Sequence, residues 1–308
     1  MLFASVGYNV ALYDVQSIQV ERALEDIKNQ LKVMEKTGFL KGSIPAEQQF
    51  LRIKAANTLS ECVKDAKYVQ ECTPEVLEMK INIFKEMDRL IDDKTILASS
   101  TSCILPSKFT ENLKNRRNVI VSHPVNPPYY VPLVELIPAP WTDPQVLATT
   151  RQLMEEIGQA PVTLNKEMDG FVLNRLQYAL LAEAMSLLQD GVISAKDIDT
   201  VMTEGLGMRW AFLGPFETAH LNAEGIGEYM EKYGPGMHRI SKSFNRSPNP
   251  FDGPTVDKLN VEMLDKVPLE KLGENRLLRD KYVSALAKLK SELKKIKNLK
   301  KKNLKALN

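Results

Sequence analysis

A chain of 308 residues with 44% apolar side chains is long enough for two domains and a substantial core, and it can fold without staples. The net charge of +2 is misleading: nine lysines and one glutamate fall between Lys288 and Asn308, leaving a mildly acidic body unlike a nucleic-acid-binding domain, whose basic residues spread over a folded face. Cys62, Cys72 and Cys103 show no metal-ligand spacing, the opening apolar run lacks the basic start of a signal peptide, and no later window approaches the roughly 18 apolar residues of a membrane span, so the expectation is a soluble cytoplasmic protein with free thiols and no metal.

The first residues, Met1-Leu-Phe-Ala-Ser-Val-Gly-Tyr-Asn-Val-Ala-Leu-Tyr-Asp14, read as a helix end, a turn glycine, a strand and a strand-terminal acid. A dinucleotide fold needs a strand and a glycine-rich turn ahead of such a helix. Here they would precede Met1. Ser17 to Lys36 repeats apolar residues at helical spacing (Val20, Leu24, Ile27, Leu31, Met34) and stops at Gly38. Residues 39 to 60 form a weaker helix-loop stretch. Ala66 to Cys72 alternates like a strand and leads into Thr73-Pro-Glu75, where Thr73 can cap a helix with Pro74 at its first position, running to Leu90 or Ile91. Lys94 to Ser99, Asn118 to Ser122 and Val131 to Ile137 read as buried strands. Strands alternating with helices predict βαβ units and a mainly parallel sheet.

From about Asp169 the pattern changes to apolar-periodic helices, Phe171 to Gln189, Ala195 to Glu204 with Ser194 as N-cap, and later segments. The boundary falls near Lys166, giving an α/β cofactor domain over 1–166 and an all-helical domain over 167–308. The Pro/Asn/Ser-rich stretch Asn245 to Pro254 reads as a surface loop, and the lysine-rich tail as a solvated or frayed helix end.

The residues that could carry chemistry cluster between Ala98 and Leu136. His123 ends a strand and precedes a proline-rich turn, and Glu135 is flanked by Val134 and Leu136, which point to the opposite face. A carboxylate beside an imidazole fixes its tautomer and makes it a competent base near neutral pH. Taken singly, His123 is as readily structural, Ser102 a turn or helix cap, and Asp14 a turn residue. Ser102 could hydrogen-bond a substrate oxygen, and Asp14, ending a strand, suits the hydroxyls of an adenosine ribose and would repel a 2′-phosphate, selecting NAD over NADP. A Ser-His-Glu acyl-transfer triad is the weaker reading, because no Gly-x-Ser-x-Gly elbow surrounds Ser102. Asn174, opening a strongly apolar helix, needs polar partners, which a cleft would supply. Arg209, followed by Trp210 and Phe212, could grip a substrate carboxylate or make an ordinary surface ion pair.

Together these segments resemble the 3-hydroxyacyl-CoA dehydrogenase superfamily, and within it the lambda-crystallin / L-gulonate 3-dehydrogenase branch. The superfamily pattern stands as Ser99-Ser-Thr-Ser102, His123-x-x-Asn126-Pro127, Leu133-Val-Glu135, Gly170-Phe-Val-Leu-Asn174-Arg175 and Gly214-Pro-Phe-Glu217. The branch is marked by His123-Pro-Val-Asn-Pro-Pro-Tyr-Tyr130, Thr203 to Arg209 and Leu221-Asn-Ala-Glu-Gly225. The resemblance implies a Rossmann-like, mainly parallel sheet lacking its first strand and Gly-rich loop, followed by an all-α domain that forms most of a homodimer contact. It makes His123 the base and Glu135 its partner, with Ser102 and Asn174 positioning the reacting oxygen and nicotinamide. Asp14, Glu75 and Lys80 then lie beside NAD, with Arg209 and Asn126 toward substrate. The implied activity is NAD-dependent oxidation of L-gulonate to 3-dehydro-L-gulonate, in a form truncated at its N-terminus. The alternatives are oxidation of a 3-hydroxyacyl-CoA and a catalytically impaired, crystallin-like structural protein.

Overall fold

The structure, a computed structural model, describes residues 1–244 and 251–306, with side chains described as far as Ile296. The chain divides into two compact units, Met1–Arg175 with Val283–Lys288, and Leu176–Tyr282 with Leu289–Asn308.

The first unit opens with the short helix α1 (Leu2–Ser5) and strand β1 (Val10–Leu12). Helix α2 (Ser17–Thr37) buries Val20, Leu31 and Met34 on one face and ends at Gly38, whose φ of 71° is the left-handed stop that glycine adopts freely. The stretch 39–60 holds more structure than its pattern shows: α3 (Ala46–Leu51), the three-residue strand β2 (Ile53–Ala55) and the start of α4 (Leu59–Val63). Strand β3 (Tyr68–Glu71) follows, then α5 (Leu77–Leu90), β4 (Ile96–Ser99), α6 (Ser107–Thr110) and β5 (Val119–Pro124). Strand β6 (Leu133–Pro138), α7 (Pro144–Glu156) and β7 (Ala160–Thr163) complete the unit. One helix start departs from the sequence expectation. Thr73 does not cap α5, which begins at Leu77 behind Val76; its N–H and hydroxyl instead donate to Glu71, 2.6 and 2.5 Å away, which ties its side chain back to the end of β3.

The strands form two sheets. One is the parallel pair β1–β2; the other runs β3-β4-β5-β6-β7, parallel throughout except that β6 is antiparallel to β5. Among the described residues no strand pairing joins the two sheets. Alternation along β4, β5 and β6 splits the core between the faces of the larger sheet. Leu97, Val119, Val121 and Ile137 pack with Phe84 and Met87 of α5 and Phe109 of α6. Ile96, Ala98, Ile120 and Leu136 pack with Val146 and Met154 of α7. Each such side chain, fully buried, contributes about 1.5–3 kcal/mol.

The second unit is helical among its described residues. Its helices are α8 (Leu173–Gln189, whose first residues belong to the first unit), α9 (Ala195–Thr200), α10 (Gly207–Trp210), α11 (Pro215–Leu221), α12 (Ile226–Ser241), α13 (Gly253–Lys266) and α14 (Leu272–Ala306). The Ser194 hydroxyl accepts from the Asp197 N–H, 3.1 Å away, as its N-cap role requires. The periodic run expected to reach Glu204 as one α-helix changes at Val201 into a π-helical stretch to Leu206, where the Gly205-Leu-Gly207 glycines favour α-helix least. The stretch expected as a loop from Asn245 lies outside the described residues up to Pro250, and Gly253–Pro254 already belong to α13. The lysine-rich tail continues α14.

Candidate active site

The parallel strands β3, β4 and β5 end on one edge of the larger sheet, where open α/β sheets present functional groups. His123 has the same parity as Val119 and Val121 and so faces the α5–α6 side. The antiparallel register sets His123 directly opposite Glu135. A directly opposed antiparallel pair brings its Cβ atoms within about 5 Å, and here His123 Nδ1 lies 2.9 Å from Glu135 Oε2. Both residues are buried, 5% and 1% exposed.

The other carboxylate oxygen of Glu135 accepts the backbone N–H groups of Val172 and Leu173, each at 2.9 Å, at the start of α8. Burial pushes the Glu135 carboxyl up, but His123 and these two N–H groups outweigh it and hold the carboxyl below its ordinary range. An ionised carboxylate only accepts, so Nδ1 carries the hydrogen and Nε2 is left as the basic nitrogen. Nε2 has no hydrogen-bond partner among the described residues. The Phe171 ring packs against the imidazole with centroids 5.7 Å apart, and Phe171 is fully buried. Its φ of 50° follows the φ of 73° at Gly170, a backbone conformation that non-glycine residues adopt at some energetic cost and that here aims the start of α8 at Glu135.

Ser102 lies in the turn after β4. Its N–H donates to Glu75 Oε1 at 2.9 Å and its carbonyl accepts from the Asn174 amide at 2.8 Å, while its hydroxyl has no partner among the described residues. Glu75 Oε1 also accepts from the Thr101 hydroxyl (2.5 Å) and the Cys103 N–H (3.1 Å). Desolvation raises the Glu75 carboxyl, yet these donors bring it below its ordinary range. The structure therefore gathers His123, Glu135, Ser102, Asn174 and Glu75 in one network. Lys80 is 1% exposed and lies 3.1 Å from Glu71, with Glu75 at 3.7 Å.

Asp14 follows β1, and its Oδ1 accepts the Gln16 N–H at 2.8 Å, leaving the second oxygen open. Asn126 is exposed three residues past His123, before a cis bond to Pro127. Arg209 is exposed on α10 of the second unit, and no stacking on Trp210 or Phe212 and no ion pair involves it among the described residues. Sequence reasoning missed Phe171, the Val172 and Leu173 amides and Glu71. Asp169-Gly170 ahead of a helix was the available signal for the first three; Glu71 reads as an ordinary strand residue.

Residues 1–168 match the 3-hydroxyacyl-CoA dehydrogenase NAD binding domain, and residues 170–247 match the C-terminal domain of the same family. The chain belongs to the 3-hydroxyacyl-CoA dehydrogenase family. It is similar to lambda-crystallin of Oryctolagus cuniculus, 49% identical over 95% of this chain and 92% of that protein. It is also similar to L-carnitine dehydrogenase of Oceanobacillus iheyensis, 34% identical over 76% of each chain. Among solved structures it resembles 5-formyl-3-hydroxy-2-methylpyridine 4-carboxylic acid 5-dehydrogenase, an NAD+-dependent dismutase, with a TM-score of 0.78 and 26% identity over 95% of this chain and 93% of that one. The Rossmann-like domain followed by helices, and NAD as cofactor, are features of this 3-hydroxyacyl-CoA dehydrogenase family. The residues present fit that cofactor at two points: an open carboxylate oxygen after β1, and a free Ser102 hydroxyl in the turn after β4.

Proposed function

We propose that this chain is a dehydrogenase that oxidises the 3-hydroxyl of L-gulonate to 3-dehydro-L-gulonate. The buried His123–Glu135 pair carries the reading. His123 Nε2 takes the hydroxyl proton as the carbinol carbon becomes a carbonyl, and Glu135 stabilises the resulting imidazolium. Ser102 and Asn174 orient the reacting oxygen and the nicotinamide. Asp14 accepts the ribose hydroxyls, with Glu75 and Lys80 on the cofactor side and Asn126 toward the substrate. When bound, NAD supplies the two-electron acceptor.

A free hydroxy acid is favoured by the L-carnitine dehydrogenase relative, since carnitine is itself a 3-hydroxy carboxylate. The family itself, and a likeness to 3-hydroxybutyryl-CoA dehydrogenase of Escherichia coli (TM-score 0.63, 27% identity over 71% of this chain), support the acyl-CoA alternative. A homodimer in the cytoplasm is part of the same proposal. In the second unit Phe216, Leu221, Val261 and Leu269 are each more than 60% exposed, apolar surface that supports association with a second copy.

NADH formation by the purified chain is the test. Turnover of L-gulonate in preference to 3-hydroxybutyryl-CoA is the expected result, and the reverse preference moves the substrate to the acyl-CoA. No turnover of either, with no saturable NADH binding below millimolar concentration, removes the dehydrogenase reading.

A further inference from the structure

We propose that Glu71 is a positioning residue for the turn Thr101–Cys103, acting along two routes that hold the backbone from which the Ser102 hydroxyl projects. The kinetic consequence rests on the dehydrogenase reading above; the structural one does not.

Glu71 ends β3 and is 4% exposed. Its Oε1 accepts from the Thr73 N–H and hydroxyl and from Lys80 Nζ at 3.1 Å, and its Oε2 accepts from Lys80 at 3.2 Å and from the Ser99 hydroxyl at 2.5 Å. A buried carboxylate so fully supplied with donors holds its neighbours in one arrangement, because any departure strands a buried charge.

The first route runs through Ser99. Its oxygen donates to Glu71 and accepts the Thr101 N–H at 3.2 Å, tying down the start of the turn. The second runs through Lys80, which Glu71 neutralises on one side and which faces Glu75 Oε2 at 3.7 Å on the other. Glu75 Oε1 then gathers the Thr101 hydroxyl, the Ser102 and Cys103 N–H groups and the Cys103 thiol. Asn174 holds the Ser102 carbonyl from the far side. The Ser102 backbone is thus gripped on both flanks, and its hydroxyl is the group left to point outward. Through Ser99, and through Lys80 and Glu75, Glu71 reaches both ends of the turn that bears Ser102.

Glu71→Gln keeps the shape and removes the charge, leaving Lys80 to lean on Glu75 alone and draw it from the turn. Amide exchange in the full chain reads this directly. The Ser102 and Cys103 amides are expected to exchange at least about tenfold faster in Glu71→Gln, with Val172 and Leu173 unchanged; unchanged rates at the turn overturn the proposal. The kinetic arm is a double-mutant cycle. Glu71→Gln should lower kcat by about tenfold with little change in KM, and the double variant with Ser102→Ala should be no slower than Ser102→Ala alone. Multiplicative losses would make Glu71 a structural residue only. Should Glu71→Gln not fold, Ser99→Ala cuts the first route by itself and must speed Thr101 amide exchange. A wild-type chain without turnover defeats the dehydrogenase reading, and the amide exchange still decides this one.

Discussion

At the scale of single residues, the weight falls on an imidazole whose partner is fixed before any substrate arrives. His123→Ala should reduce turnover by about 10² or more while leaving the fold intact, and Glu135→Gln should do the same, because an amide can hold the ring with the wrong nitrogen protonated; steady-state rates with circular dichroism check both. Glu135 also makes a pH prediction. Its native carboxyl is held below the ordinary 4.5 despite burial, so it adds stability above the unfolded value and loses it as pH falls through the native one. Urea midpoints should therefore drop in wild type as pH falls below about 4.5, and Glu135→Gln should flatten that limb. The pair was legible in sequence because His123 falls near the end of one strand run and Glu135 is a lone acid between apolar neighbours in the next. The two α8 amides on Glu135 were not, since backbone donors carry no side-chain signature.

Among elements, long periodic helices and strand runs could be read directly. Ser17–Thr37 with its Gly38 stop, and β5 and β6, stand within a few residues of where their patterns put them. The short pieces could not: β2 has three residues, too few for alternation to register, and its existence depends on pairing with β1 from 43 positions away. Gly42 shows the same dependence on distant contacts. Its φ is 77°, and a Cβ built there would lie 2.0 Å from the Ser5 carbonyl oxygen. Gly42→Ala should cost about 2 kcal/mol or more, because neither the backbone angle nor the packed carbonyl of α1 can give way easily; chemical denaturation of the two proteins measures it.

For the whole molecule, the two units differ in how they bury themselves. The first holds both core clusters, whereas described helices of the second leave large apolar side chains open. Sedimentation at micromolar concentration should return twice the mass of 34.7 kDa, and Phe216→Asp with Leu221→Asp should return the single mass. A concentration-independent monomer in wild type would remove the homodimer proposal.

Strand β6 runs against β5, and this has a consequence for how the protein tolerates change. Side chains alternate faces with period two, so a single-residue insertion within β6 would rotate the glutamate away from the imidazole and push Val134 or Leu136 into its place. The connection between the two strands, residues 125–132, adds no residue to that pairing. Lengthening it alters what borders the site yet leaves the acid opposite the base. Length variation thus has a permissive segment in which to accumulate, while the His123–Glu135 contact is inherited as part of the sheet itself.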